Sequence, residues 1–334
     1  MRAIYYTETG GPDVLQLGVR PEPSPRKGEV VVRVRVSGLN PSDTKSRAGW
    51  GGDPMPADLV IPNNDGAGVI DAVGEGVDPS RLGQRVWIYE ATREGRNLGT
   101  CAERVAVPEH LAVPLPEAIS FETGAALGVP AMTAHRATFG DGSLEGKTVL
   151  VTGGGGGVGH MAVQLARWGG ARVLATASHS EDVELARKSG AEHVIDYKKE
   201  DVVARVMDIT DGEGVHRIVD TSFAANLPVS AEVIRPMGTI ATYFSAHDPD
   251  KGMRFPFWDL LMKNVRVQTT FVYGMDDAAH RAAVRDISAA LNEGALSAHI
   301  GGRYPFTRDG VASAHADLDG GKLTGKAVIS VSGG

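Results

Sequence analysis

The 334-residue sequence predicts an α/β protein in which a mostly β part precedes a doubly wound parallel sheet. Three observations carry this. The run Glu29–Val36, EVVVRVRV, sets Val30, Val32, Val34 and Val36 on one face and Arg33 and Arg35 on the other, the period-two pattern of a half-buried strand. From Lys147 onward, short apolar runs alternate with helix-like segments, as in a parallel sheet with helices on both faces. Five consecutive glycines, Gly153–Gly157, follow the first of those runs.

The elements follow in order. The glycines of Gly66–Gly76 (GAGVIDAVGEG) fit close strand turns, Arg85–Tyr89 is a short strand, and Val107–Pro116 reads as a loop leaving the β part. Thr148–Thr152 is a strand, Val158–Trp168 an apolar-periodic helix and Arg172–Ala177 the next strand. Helices near Glu181–Lys188, Lys199–Ile209 and Pro228–Arg235 alternate with strands at His193–Ile195, Arg217–Asp220 and Thr239–Phe244. Val265–Val272 continues as a strand and Ala278–Asn292 as a helix ended by Gly294; Thr307–Leu318 reads as a helix and Ala327–Val331 as a closing strand.

Composition narrows the function class. A net charge of −7 and the lack of any Lys/Arg run argue against a nucleic-acid binder. The beginning, MRAIYYTETGG, lacks the order of a signal peptide, and no apolar stretch nears the roughly 18 residues of a membrane span. With Cys101 as the one cysteine, no intrachain disulfide can form, so a reducing, cytoplasmic setting is expected.

The strongest chemical signal is the stretch Val149–Gly159, VLVTGGGGGVG. Gly154, Gly156 and Gly159 satisfy G-x-G-x-x-G between a strand and a helix, the Rossmann fingerprint: a tight turn, close approach of the backbone to a pyrophosphate, and close helix–strand packing. With Gly157 and Val158 they form the expected phosphate cradle, whose free N–H groups open the helix. Gly320–Lys326 imitates a P-loop, but Ala327 stands where its Ser/Thr is required and the strand–helix order is reversed. The second strand ends at Ala177-Ser178, without the Asp or Glu that binds an NAD ribose, which favours NADPH. Ser178 equally fits a capping box with Glu181, while Glu181 and Asp182 disfavour a nearby phosphate.

The ordered series Gly10–Leu15, Gly38–Asp43 (GLNPSD), Gly66–Gly74, Gly124–Ala134, the glycine loop and Leu323–Lys326 resembles the zeta-crystallin-like quinone oxidoreductases, a zinc-free branch of the medium-chain dehydrogenase/reductase superfamily. The resemblance implies a GroES-like catalytic domain, residues 1–122 completed by 267–334, around a Rossmann domain, residues 123–266, in a homodimer or homotetramer. Zinc-dependent relatives carry Cys where Asn40 stands and His-Glu where Asn64-Asp65 stand, and their structural zinc takes four cysteines, so no tetrahedral Cys/His site is expected here. The resemblance places Thr133 near a nicotinamide, Tyr197 near the adenosine ribose phosphate, and Lys326 at a basic position able to reach the 2′-phosphate. Thr133 fits helix packing equally well, and Lys326 a solvated lysine. Asn40 is the candidate donor that polarises a substrate carbonyl, or else a structural turn asparagine. Asp182 stands where family members often have Lys, Lys45 and Trp50 where they have Tyr, Ser222-Phe223 where Val-Gly is common, and Phe244 in place of a frequent Gly.

The implied activity is hydride transfer from NADPH to a quinone. Without a Lewis acid the acceptor must already be reactive, and the protein chiefly positions it and excludes water. A reductase of enones or enoyl thioesters uses the same geometry, and a nucleotide-binding structural or regulatory protein of low activity is the alternative from another class.

Overall fold

The computed structural model describes every residue except 53, 94, 246–251 and 332–334. The chain divides into a terminal unit, Met1–Val129 with Ala298–Gly334, and a central unit, Pro130–Ser297. Both changeovers differ from the sequence-based boundaries. Residues 123–129 pack with the chain ends and 267–297 with the central unit. The second shift has a visible cause: the helix Asp277–Asn292 and the residues after it are tied to central-unit elements through His135–Asp286, Trp168–Glu293 and Gln164–Ser297 hydrogen bonds.

In the terminal unit, β1 (Arg2–Tyr5) and β2 (Gln16–Val19) form an antiparallel pair. The main sheet is built on β3 (Glu29–Leu39), whose Val30, Val32, Val34 and Val36 are buried while Arg33 is exposed, as the alternation predicts. β3 pairs with β4 (Asp65–Val73), β6 (Arg104–Pro108) and β15 (Lys326–Ser330); β5 (Arg85–Ile88), β7 (Ala112–Pro114) and β14 (Ile300–Pro305) complete it. Two expectations are corrected here. Gly66–Gly74 is not a set of turns but mostly the strand β4, and its glycines serve close packing: a Cβ at Gly68 would strike the Arg33 carbonyl and one at Gly74 the Arg26 carbonyl. Residues 107–116 do not leave the unit as a loop, because Val86, Trp87 and Ile88 of β5 pair with Pro114, Val113 and Ala112 of β7.

The central unit holds a parallel sheet of β8 (Thr148–Val151), β9 (Arg172–Ala177), β10 (His193–Asp196), β11 (Val215–Asp220), β12 (Ile234–Thr242) and β13 (Arg266–Thr269). Their order among the described residues, β10-β9-β8-β11-β12-β13, is the doubly wound order 3-2-1-4-5-6, with its switch point between β8 and β11. The helices α3 (Gly159–Trp168), α4 (Ser180–Lys188), α5 (Val202–Ile209) and α6 (Phe223–Val233) follow β8 to β11 in turn. α6 begins earlier than its Pro228 suggests, and β12 starts directly at Ile234. Leu150, Leu174, Ile195, Ile218 and Ile240 fill the core on this sheet. At the amino end of β11 the buried Arg217 donates to the Ala137 carbonyl at 2.6 Å and to Gln268 Oε1 at 3.0 Å, and it pairs with Asp141, which also accepts from Thr239. This joins β11, β12 and β13 to the helix α2 (Phe121–Phe139) and the turn after it.

In the terminal unit the short helix α1 (Pro41–Ala48) is fixed at its start by Asp43, whose Oδ2 accepts the Asn40 N–H at 2.8 Å. Its Oδ1 accepts the Asn64 side-chain N–H, also at 2.8 Å. Burial, followed by the neighbouring Asp65 carboxylate, pushes the Asp43 carboxyl up from 3.8 to about 6. A folded-state value above the unfolded one means that stability from this group is full below about pH 4 and declines as the pH rises toward 6, by roughly 3 kcal/mol. In urea titrations the stability of the unmodified protein should therefore fall, relative to Asp43→Asn, over that window. A constant difference between the two would refute the assignment.

Candidate active site

The glycine loop leaves the carboxyl end of β8 at the switch point, the place where open α/β sheets bind their ligands. Gly153 makes the turn, with φ +65, a conformation that side chains other than glycine rarely adopt. Gly154 packs on Ala175 of β9, Gly155 on the backbone of Asp182 in α4, and Gly159 on the Gly153 carbonyl; a Cβ at any of these would collide. Gly156 and Gly157 differ. A Cβ at Gly156 would meet only the Gly153 carbonyl, at 3.3 Å, and one at Gly157 nothing within 4 Å. The loop thus turns its second glycine and the next residue to open space while the others anchor it. Val158 stands at the start of α3. This is a cradle that fits a pyrophosphate on a helix N-terminus.

Asp220 locks the switch point. It is fully buried at the end of β11 and accepts from Thr152 Oγ1 at 3.0 Å, Asn226 Nδ2 at 2.7 Å, Thr242 Oγ1 at 3.2 Å and the Ser222 N–H at 3.1 Å. Burial raises its carboxyl above the ordinary range against these bonds. The ends of β8, β11 and β12 are therefore held by one carboxylate. Sequence reading passed over Asp220 as an ordinary strand end; the available signal was an acidic residue closing an apolar run, Ile218-Val219-Asp220.

Ser178 and Tyr197, expected separately, come together after β9 and β10: the Ser178 hydroxyl donates to the Tyr197 hydroxyl at 2.9 Å. The capping-box expectation for Ser178 is overturned. His179 is the cap residue of α4, and the Ser178 hydroxyl is turned to Tyr197 instead. A cleft of about 460 Å3 opens beside Ser178, lined also by Glu184, Arg187, Asp196, Lys199 and Glu200. Its two cations are already paired, Arg187 with Glu184 at 3.1 Å and Lys199 with Asp196 at 2.7 Å. Thr133 is buried on α2 in the central unit, and its hydroxyl has no hydrogen-bond partner among the described residues.

The terminal unit contains the second polar centre. Lys326 opens β15, Asp65 opens β4 and Asn40 precedes α1. The Lys326 ammonium donates to Asp65 Oδ2 at 2.7 Å and to Asn40 Oδ1 at 2.5 Å; Asn40 Nδ2 donates to the same Asp65 oxygen at 2.8 Å. Asp65 also accepts the Val129 N–H at 3.0 Å, just beyond the kink that Gly128 makes in α2. One expectation is corrected. Lys326 is not a solvated lysine, because its side chain is buried and its ammonium donates to Asn40 and Asp65. Asn40 gives one amide N–H to Asp65, and its amide oxygen accepts from the Lys326 ammonium.

These residues do not fit a zinc ion. Of the positions where zinc-dependent relatives carry ligands, Asn40 and Asp65 hold the Lys326 ammonium, and Asn64 donates its side-chain N–H to Asp43 while its oxygen accepts from the Thr92 hydroxyl at 2.9 Å. Among the described residues no group of three or more His, Cys, Asp or Glu is placed to hold a metal. No helix among them is long and apolar enough to cross a membrane.

Comparison with known proteins agrees with this architecture. Residues 26–117 match the alcohol dehydrogenase GroES-like domain, and residues 157–289 match the zinc-binding dehydrogenase family. The quinone oxidoreductase of Rattus norvegicus is 30% identical, with 98% of this chain and 97% of the rat protein covered. A mycobacterial protein solved in complex with NADPH is 28% identical, with a TM-score of 0.82 over 99% of both chains. A structure described as an NAD-dependent alcohol dehydrogenase is 29% identical, with a TM-score of 0.86 over 99% of this chain and 100% of that one. The chain therefore belongs to the medium-chain dehydrogenase/reductase superfamily of oxidoreductases, with quinone oxidoreductases among its homologues.

Proposed function

We propose that the protein is a zinc-independent, NADPH-dependent reductase of quinones. The observation that carries this is the glycine cradle, open at Gly156 and Gly157 and anchored at Gly154, Gly155 and Gly159. The bound dinucleotide supplies the hydride. The chain's own residues bind its pyrophosphate, orient its ribose through Ser178 and Tyr197, and place Thr133 beside the nicotinamide. The rat quinone oxidoreductase and the NADPH-complexed neighbour support the acceptor and the cofactor. Zinc independence is supported by the ammonium seated on Asp65. The buried, lone Cys101 suits a reducing cytoplasm, and the exposed Trp258, Met262 and Phe271 of the central unit suit self-association into a homo-oligomer.

The test is NADPH consumption against a panel of quinones, enones and enoyl thioesters, run with and without a chelator. Quinones should be the best acceptors and chelation should leave the rate unchanged. A clear preference for enones or thioesters would move the acceptor class. Turnover with none of them would leave a nucleotide-binding protein of structural or regulatory role.

The cradle gives a sharper prediction. Gly156→Val should fold, since its Cβ meets only one carbonyl oxygen, yet lose dinucleotide binding because the branched side chain fills the pyrophosphate's approach. Unchanged NADPH affinity in the folded variant would place the site elsewhere.

Cofactor choice follows from the Ser178–Tyr197 pair. The acidic side chains lining the adjoining cleft oppose a 2′-phosphate, so the NADPH preference should be about tenfold, the lower end of what one charge-assisted hydrogen bond contributes. Tyr197→Phe should reduce NADPH affinity selectively, and Asp182→Lys should raise it while changing NADH little. Titration of both cofactors by fluorescence decides this; tighter NADH than NADPH binding by the unmodified protein would reject it.

A further inference from the structure

We infer that His160 is a positioning residue of the glycine cradle: its imidazole pins the Gly156 carbonyl against α3 and so directs the Gly157 N–H outward, where a dinucleotide's pyrophosphate can accept it. This deepens the dinucleotide-binding reading above and rests on it. His160 is the second residue of α3 and is buried, at 1% exposure. Its Nδ1 lies 2.9 Å from the Gly156 oxygen. A carbonyl oxygen can only accept, so Nδ1 carries the ring proton and donates it. The backbone N–H of His160 donates to the same oxygen at 3.0 Å. The peptide joining Gly156 and Gly157 is trans, and in a trans peptide the C=O and the N–H point opposite ways. With its oxygen drawn to α3, this peptide turns its N–H away from the body of the helix. That N–H donates to no group among the described residues, and a Cβ at Gly157 would meet nothing within 4 Å. It is an unspent donor beside open space.

Folding alone does not call for the imidazole bond. The helix already supplies the Gly156 carbonyl with a donor. Every residue of Gly159–Ala166 is buried, and a polar ring taken out of water costs free energy unless it is hydrogen-bonded, so an apolar side chain would serve this position as packing. What needs the bond is the loop. Gly156 and Gly157 have no side chains to restrict their dihedral angles, so the peptide between them can rotate at little cost, and once turned it would present its oxygen to a diphosphate. The strut is itself braced. Four residues on, Gln164 repeats the pattern: its Nε2 donates to the His160 carbonyl at 3.1 Å and to the Ser297 carbonyl at 3.0 Å, and its Oε1 accepts the Ser297 N–H at 2.9 Å. Gly156, His160 and Gln164 thus form one hydrogen-bonded line along α3, fixed at its far end to Ser297 of the same unit.

The experiment compares two variants of the whole chain. His160→Leu fills the space without a donor. His160→Ser leaves a larger void but can donate its hydroxyl to the carbonyl four residues back. Thermal melting ranks their packing. Calorimetric titration measures binding of 2′-phospho-ADP-ribose, which carries a pyrophosphate, and of adenosine 2′-monophosphate, which does not. His160→Leu should bind the pyrophosphate ligand about tenfold more weakly, the lower end of what one charge-assisted hydrogen bond contributes, with adenosine 2′-monophosphate unaffected. His160→Ser should keep most of the affinity although it melts lower. Affinities that follow the melting temperatures, or an equal loss for both ligands, overturn the inference.

A second measurement uses the unmodified protein. Heteronuclear NMR of isotope-labelled protein, at a pH well above the ordinary imidazole range, should show the His160 ring proton on Nδ1. A His160 ring with its proton on Nε2 and Nδ1 bare overturns the inference. An unmodified protein that binds neither ligand would instead defeat the dinucleotide-binding reading itself, so the two failures are distinct.

Discussion

The carboxylate of Asp65 receives three donors in a place from which water is excluded: the Lys326 ammonium, the Asn40 amide and the Val129 backbone N–H. A buried charge is tolerated only when it is paired and hydrogen-bonded, so each donor fixes the others. The consequences reach through the terminal unit. Lys326 sets the start of β15, the strand that joins β14 to β3; Asn40 sets the start of α1; Val129 lies just beyond the kink at Gly128. Pro130 follows immediately, and its missing N–H makes the kink cheaper at this point than anywhere else in the helix. One anion thereby coordinates segments that lie 25, 64 and 261 residues away from it in sequence.

The central unit meets an equivalent constraint with a different carboxylate. Asp220 gathers Thr152, Thr242 and Asn226 at the carboxyl ends of β8, β11 and β12, all through neutral donors. Around it, close approach replaces charge. Gly154 and Gly155 let the loop touch β9 and α4, and Gly159 lets α3 begin against the turn. The rigidity of the loop follows from these contacts, and its binding capacity from the two glycines that touch almost nothing. Anchoring and openness are thus divided among neighbouring residues of the same type, which is why a run of five glycines serves better here than a spaced set.

The parts of the molecule that were legible in the sequence are those written in local periodicity. The valines of β3, the alternation of strand and helix after Lys147 and the glycine loop all express short-range rules, and the structure follows them to within a few residues. What was not legible depends on partners distant in the chain. The glycines of β4 looked like turn residues because their reason, the carbonyls of Arg26 and Arg33 pressed against them, lies on another stretch. Ser178 satisfied a capping pattern, but Tyr197, 19 residues on, took its hydroxyl. Lys326 looked like a surface lysine near the chain end until its counter-ion, Asp65, was placed beside it. Asn40 was singled out as an amide able to donate to a carbonyl, but the groups that face it, Asp65 and Lys326, lie 25 and 286 residues away in sequence.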